Sequence, residues 1–419
     1  MLAHVQDWVE LLVRWFHVIV GAAWIGTSFY FNWLNNNVRP PEDAEEGVGG
    51  EVWAVHGGGF YRVVKYKEAP PALPGTLHWF KWEAYLTWVS GVCLLCLVYY
   101  FGADGMLVDP GKTALSKGAV IGIGLASLVG GWLGYDLLCK SPLRQHSALL
   151  TGICFVAITA TAYGLVQVMG SRAAYIHVGA MIGTCMAANV FFVIIPGQRA
   201  MVDAMTKGQA PDVSKGAAGA MRSLHNNYLT LPVLFIMISN HFPMTYGDAG
   251  NWWLLLGICM AGALARHYFN LKHQGRHKQW ILPAAAMAMV ALAFVSRPPA
   301  PEDTGPKVEF AQAYGIMETR CMPCHVSNPT FPGMKAPPLG IAYDTPEQIK
   351  ALSEKIAKVA VHSKTMPLAN ATQMTDEERD ILGRWIAQGS EIPTIESTTQ
   401  VSPTSATAPE TIPDSTEQN

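Results

Sequence analysis

Apolar residues in this chain are gathered into runs rather than alternated with polar ones. Eight runs stand out, at about 9–34, 84–101, 119–138, 147–168, 173–196, 225–242, 252–269 and 280–295. Runs of this length match the ~20 residues that a helix needs to cross ~30 Å of hydrocarbon. The sixth and eighth are the shortest. The pattern therefore predicts an all-α fold, a polytopic helical membrane bundle of about eight transmembrane helices spanning residues 1–296. Two stretches break the pattern. Within the loop 35–83, the β-rich runs 52–56 and 60–66 flank Gly57, Gly58 and Gly59, which reads as a hairpin. Beyond Pro298 the composition turns to that of a small soluble domain, with a linker at 297–308, a domain at 309–391 and a Ser/Thr/Pro-rich tail at 392–419 expected to be disordered.

Composition agrees with a lipid environment. Of 419 residues, 50% are hydrophobic and only 14% are charged, against roughly 25% charged in a soluble domain. A net charge of −2 excludes the basic surface of a nucleic-acid binder. Eight cysteines in a chain this long exclude a disulfide scaffold. Lysines and arginines set the orientation. Loops after the odd-numbered runs carry fifteen of them, from Arg39 to Lys278, whereas the opposite side has only Lys112, Lys117 and Arg172. The basic loops belong in the cytoplasm. The N-terminus and everything after residue 296 are then expected on the outer, periplasmic side of a bacterial inner membrane. The first run is too long and too poor in flanking basic residues for a signal peptide, and is expected to stay as an anchor.

The strongest chemical signal is Cys321-Met322-Pro323-Cys324-His325. C-x-x-C-H attaches c-type haem: the two thiols take the vinyl groups and the histidine is an axial iron ligand. Phe310–Arg320 reads as an amphipathic helix leading into the motif, and Pro337-Pro338-Leu339 as a loop facing His325. Met366, 41 residues after His325 and followed by Pro367, is the expected second axial ligand in preference to Met374. With a capped helix at 375–388, this arrangement resembles a class I cytochrome c. It is expected to pass electrons to a periplasmic or membrane respiratory acceptor.

Ionisable residues inside membrane helices are costly and usually functional. His17 and His177 each precede glycines, at Gly21 and Gly26 and at Gly179 and Gly183. Such helices could clamp a haem b, or the glycines could simply be packing positions. Cys93 and Cys96 read as packing residues. At the cytoplasmic level His78, Glu83, Asp136, Arg199, His225, Asn226, Asn227, Arg266 and His267 gather at run ends. Amide, carboxylate and guanidinium groups of this kind fix a planar polar substrate, or serve as structural polar contacts.

Three segments carry a family resemblance: Val55-His56-Gly57-Gly58-Gly59-Phe60-Tyr61, His78-Trp79-Phe80-Lys81-Trp82-Glu83-Ala84-Tyr85, and 222–232, which begins Arg222-Ser223-Leu224-His225-Asn226-Asn227. They resemble the bacterial membrane-bound urate hydroxylases, whose eight-span domain is fused to a cytochrome c. The resemblance implies oxidation of urate to 5-hydroxyisourate, with electrons passing to the cytochrome and the respiratory chain rather than forming peroxide. It carries no established catalytic residue. From the chemistry alone, urate is a monoanion needing a cation, Arg266 or Arg222, and a base tuned near neutrality, His225 or Glu83. Competing readings are a quinol–cytochrome oxidoreductase, a membrane haem oxidoreductase of porphyrin synthesis, and a merely tethered electron shuttle.

Overall fold

The computed structural model describes residues 2–43, 47–67, 70–247, 252–297, 305–332 and 334–393. The tail from 394 and most of the expected linker lie outside the described residues. Among the described residues six helical stretches are long and apolar enough to cross a membrane. They comprise α1 (Leu2–Asn37), α2 (Trp82–Leu94, continued by a π turn to Tyr100), α4 (Lys117–Lys140), α5 (Ser147–Val168), α6 (Ser171–Ala188, running through a π turn into α7, Ile195–Thr206) and α9 (Trp252–His273). A four-residue turn, α3 (Ala103–Met106), precedes α4.

The other two expected spans are helices of a different kind. Helix α8 (Val213–Ser239) begins twelve residues before the expected start because the Asp212 side chain caps it, accepting from Ser214 N. It is long, but its polar residues Arg222, Asn226, Asn227 and Thr230 face inward and lower its hydropathy. Helix α10 (Ile281–Val295) is apolar but has only 15 residues. It packs on α9, and α9 packs on α8.

Small residues let the central helices meet closely. On α4, a Cβ at Gly124 would lie 2.6 Å from His177 Nε2, and one at Gly131 would collide with Met181. On α6, Gly179 receives Ile236 of α8. The core around these contacts contains Tyr175, Leu107, Met169, Ile236 and Leu255. The expected hairpin is present and longer than its apolar runs: β1 (Val48–His56) pairs antiparallel with β2 (Gly59–Tyr66). Its two-residue turn needs positive φ twice, and Gly57 and Gly58 supply it at +57° and +79°.

The C-terminal unit is a separate helical cluster. Helix α11 (Phe310–Arg320) packs against α14 (Asp376–Ala387), with α12 (Pro346–Ala351) and α13 (Ser353–Ile356) between them in sequence. The α14 start is a full capping box, Thr375 with Glu378. Arg320 reaches across to hold both oxygens of Glu378 at 3.0 Å, and Trp385, 1% exposed, packs on Phe310. The unit sits against one end of the bundle. Gly105 of α3, Gly170 before α6 and Gly247 after α8 all meet its Ser363–Leu368 region or the adjoining turn. The turns after α2, α5 and α8 therefore share one end of the bundle, and the hairpin belongs to the opposite end.

Candidate functional site

An apolar cleft in the C-terminal unit collects the expected haem residues. Cys321, Cys324, His325 and Met366 line the same cleft, although Met366 is 41 residues distant in sequence. The turn after α11 brings the thiols and His325 together, closed by His325 N donating to Cys321 O at 2.9 Å. The proline loop does what its position implied: Ile341, two residues beyond Leu339, accepts from His325 Nδ1 at 3.0 Å. With Nδ1 donating there, Nε2 is left with a free lone pair that could ligate a metal. Opposite, Met366 N donates to Val359 O, and its carbonyl accepts from buried Arg379 at 2.7 Å. Burial pushes the Cys321 thiol up to about 12. Two thiols, an imidazole with one free nitrogen and a thioether around an apolar cleft form the donor set that a covalently held haem requires. Gly105 of the bundle lines this cleft as well, so the membrane part reaches its rim.

The histidines expected to share a haem b are not brought together. His17 bonds Ser90 of α2 at 2.9 Å. His177 is fully buried between Ala173 O, at 2.8 Å from Nδ1, and the Tyr100 hydroxyl, at 3.1 Å from Nε2. Ser90 and Tyr100 are ten residues apart on one helix, about 15 Å of rise. Both ring nitrogens of His177 are engaged, Gly124 is filled by its ring, and Gly179 is filled by Ile236. Among the described residues the two histidines are thus held by different partners.

The inner polar residues divide into two networks on opposite faces of α8. On the α4 and α6 side, Arg222 donates to Asp136 at 2.7 Å and to Asn189 at 3.1 Å. Asn189 donates in turn to Asn226 at 2.8 Å, and the Tyr135 hydroxyl meets His225 Nδ1 at 2.8 Å. The Arg222 guanidinium also lies 4.7 Å from the Tyr135 ring. On the α9 side, Arg266 Nε donates to Asn227 Oδ1 at 2.9 Å and Asn270 Nδ2 to the same oxygen at 3.1 Å. The Arg266 guanidinium covers the Phe29 ring of α1 at 4.0 Å. Tyr228 and His267 pair beside it at 2.7 Å.

Residues 3–297 match the urate oxidase N-terminal family. The chain belongs to that family. No curated protein and no solved structure matches the chain. The family segment contains α1 to α10 and both inner networks, and ends before Cys321. Membership points to oxidation of urate by this part of the chain.

Within the family domain, the residues expected from sequence are placed unevenly. His225 belongs to the first network and Arg266 to the second. Glu83, in the first turn of α2, joins neither by a hydrogen bond or ion pair among the described residues. His78 and Arg199 are exposed. Sequence reasoning missed Asn189, Asn270, Tyr135 and Phe29. Asn189 had a readable signal, an amide inside the apolar run 187–195, and it opens a π turn, where helices often carry function. Asn270 lay in a polar helix end and carried no such signal.

Proposed function

We propose that this chain is a urate hydroxylase of the bacterial inner membrane. It converts the urate monoanion and water into 5-hydroxyisourate, one proton and two electrons. The observation that carries this reading is the joining, in one chain, of a urate oxidase family domain and a cleft with the donor set for haem c. When bound at Cys321, Cys324, His325 and Met366, haem c supplies a one-electron acceptor on the outer side, from which a respiratory carrier is served.

Arg266 holds the substrate anion. Arg222 does not, because Asp136 at 2.7 Å already neutralises it and Lys140 shares that carboxylate. Arg266 has no carboxylate partner among the described residues, and burial among apolar neighbours strengthens its pull on an anion. The proton is taken by His225 or His267, each held through Nδ1 by a tyrosine hydroxyl. In the tautomer that donates Nδ1–H to the tyrosine oxygen, Nε2 carries the free lone pair. Glu83 remains the carboxylate alternative for that role. On this reading all eight expected runs cross the membrane with their basic loops inside, the hairpin is cytoplasmic and the C-terminal unit periplasmic. The grouping of the turns after α2, α5 and α8 beside that unit supports this arrangement.

Anaerobic addition of urate to the purified protein, followed by visible spectroscopy, tests the reading. Reduction of the haem is the expected result. A spectrum that stays oxidised with urate but is reduced by dithionite overturns it.

A further inference from the structure

The network around Asn227 is incomplete in a specific way. Arg266, Asn227 and Asn270 are 5%, 1% and 2% exposed. Two donors converge on Asn227 Oδ1, which fixes the orientation of that amide; turned over, its NH2 group would face Arg266 Nε–H and Asn270 Nδ2–H. Asn227 Nδ2, Arg266 Nη2 and Asn270 Oδ1 are then left without hydrogen-bond partners. Each orphan of this kind costs about 1–3 kcal/mol, and a charged one more. The neighbouring network on the other face of α8 is satisfied. Arg222, equally buried, has a carboxylate and an amide; Asn189 donates to Asn226 Oδ1, and Asn226 Nδ2 donates to Met186 O.

We propose that Asn227, Arg266 and Asn270 form a binding site for a planar anion that presents an acylurea edge, a ring N–H beside carbonyl oxygens. The two orphan donors ask for two acceptors with negative charge, and the Asn270 oxygen asks for an N–H between or beside them. A simple carboxylate answers the donors but puts a lone pair against Asn270 Oδ1, so the amide pair excludes it. The site rests on the urate reading and sharpens it: Arg266 supplies the charge, and Asn227 and Asn270 read the edge. Arg266, Asn270 and His273 recur at spacings of four and three on one face of α9. His273 Nδ1 is also unpartnered, so the polar face runs from the buried cluster to the exposed turn at 274–280.

The test is equilibrium binding of radiolabelled urate to the full haem-loaded protein, kept reduced and anaerobic in nanodiscs, with benzoate and 1,3-dimethylurate, which keeps the negative charge but has no acylurea N–H, as competitors. Urate should bind, and neither competitor should displace it. Asn270→Leu should weaken urate at least about tenfold, and Arg266→Gln should abolish binding, with the haem spectrum and thermal midpoint of each variant confirming a folded chain. Unchanged urate affinity in both folded variants overturns this site and leaves the urate reading standing. Displacement by benzoate or by the methylated urate, which needs no variant at all, overturns the edge readout. Absence of urate binding to the unaltered protein overturns the urate reading and this site with it.

Discussion

Arg222 Nη2 lies 2.7 Å from Asp136 Oδ1 within the bundle, and the arginine side chain is only 3% exposed. The pair joins α8 to α4 and cancels a charge that would otherwise be buried alone. Removing one partner of such a pair costs about 3–5 kcal/mol. Asp136→Ala is therefore expected to lower the unfolding midpoint sharply, and Asp136→Asn less so, because its amide oxygen still accepts from Arg222. Thermal unfolding in detergent measures both. Equal midpoints for Asp136→Ala and the unaltered chain would show that the pair is not buried.

Covalent attachment and ligation in the C-terminal cleft separate by mutation. His325→Ala is expected to remove the haem c signal, because attachment needs the histidine of the C-x-x-C-H motif as well as the thiols. Met366→Ala should keep the covalent haem, since both thiols remain, while lowering its reduction potential through loss of the thioether. Denaturing gel staining for haem and a redox titration report the two effects. A Met366→Ala potential equal to the starting one would assign the ligand to another residue.

His17 and His177 contact α2 about 15 Å of helix apart. Neither His17→Phe nor His177→Phe is expected to change the haem content per chain in a pyridine haemochrome assay. The His177 variant should still lose stability, because Tyr100 and Ala173 lose their partner. Loss of a b-type band in both variants would restore the paired-ligand arrangement.

Two tyrosine-held histidines compete for the proton. His267→Asn, next to the Arg266 site, is expected to lower the turnover number more than it changes KM. His225→Asn, on the other face of α8, should act mainly on stability through the Arg222 network. Steady-state urate kinetics across pH distinguish them. The opposite pattern moves the base to His225, and no effect in either points to Glu83.

Asp344 accepts from Ser327 N at 2.9 Å and from its hydroxyl at 2.6 Å, which holds the carboxyl below its ordinary range. A lowered pKa means that the stabilisation is present at neutral pH and is lost as pH falls through the lowered value. The loop after the haem motif should loosen only in acid below the usual carboxylate range. Asp344→Asn should remove that part of the acid transition. An acid titration of the C-terminal unit's thermal midpoint follows it, and identical profiles for the two proteins would exclude the role.

Much of the bundle was legible because hydrocarbon imposes a simple rule: backbone polar groups must be satisfied within the helix, so spans appear as long apolar runs. The capping box at Thr375 and the glycine turn at 57–58 were equally legible, since both depend on a few neighbouring residues. Helix α8 was harder. Its first half is polar, and only packing against α6 and α9 explains why those residues are buried.

By itself, the sequence determined the helical runs, the hairpin and the Cys321–His325 motif, because each is encoded in local spacing. Tertiary structure alone decided which polar residues meet. Residues two apart on a helix point about 200° away from each other, so adjacent letters, His225 and Asn227, serve different networks. In the same way, His17 and His177, similar in their surroundings along the chain, end in separate places because helix packing, not sequence neighbourhood, sets what each side chain faces.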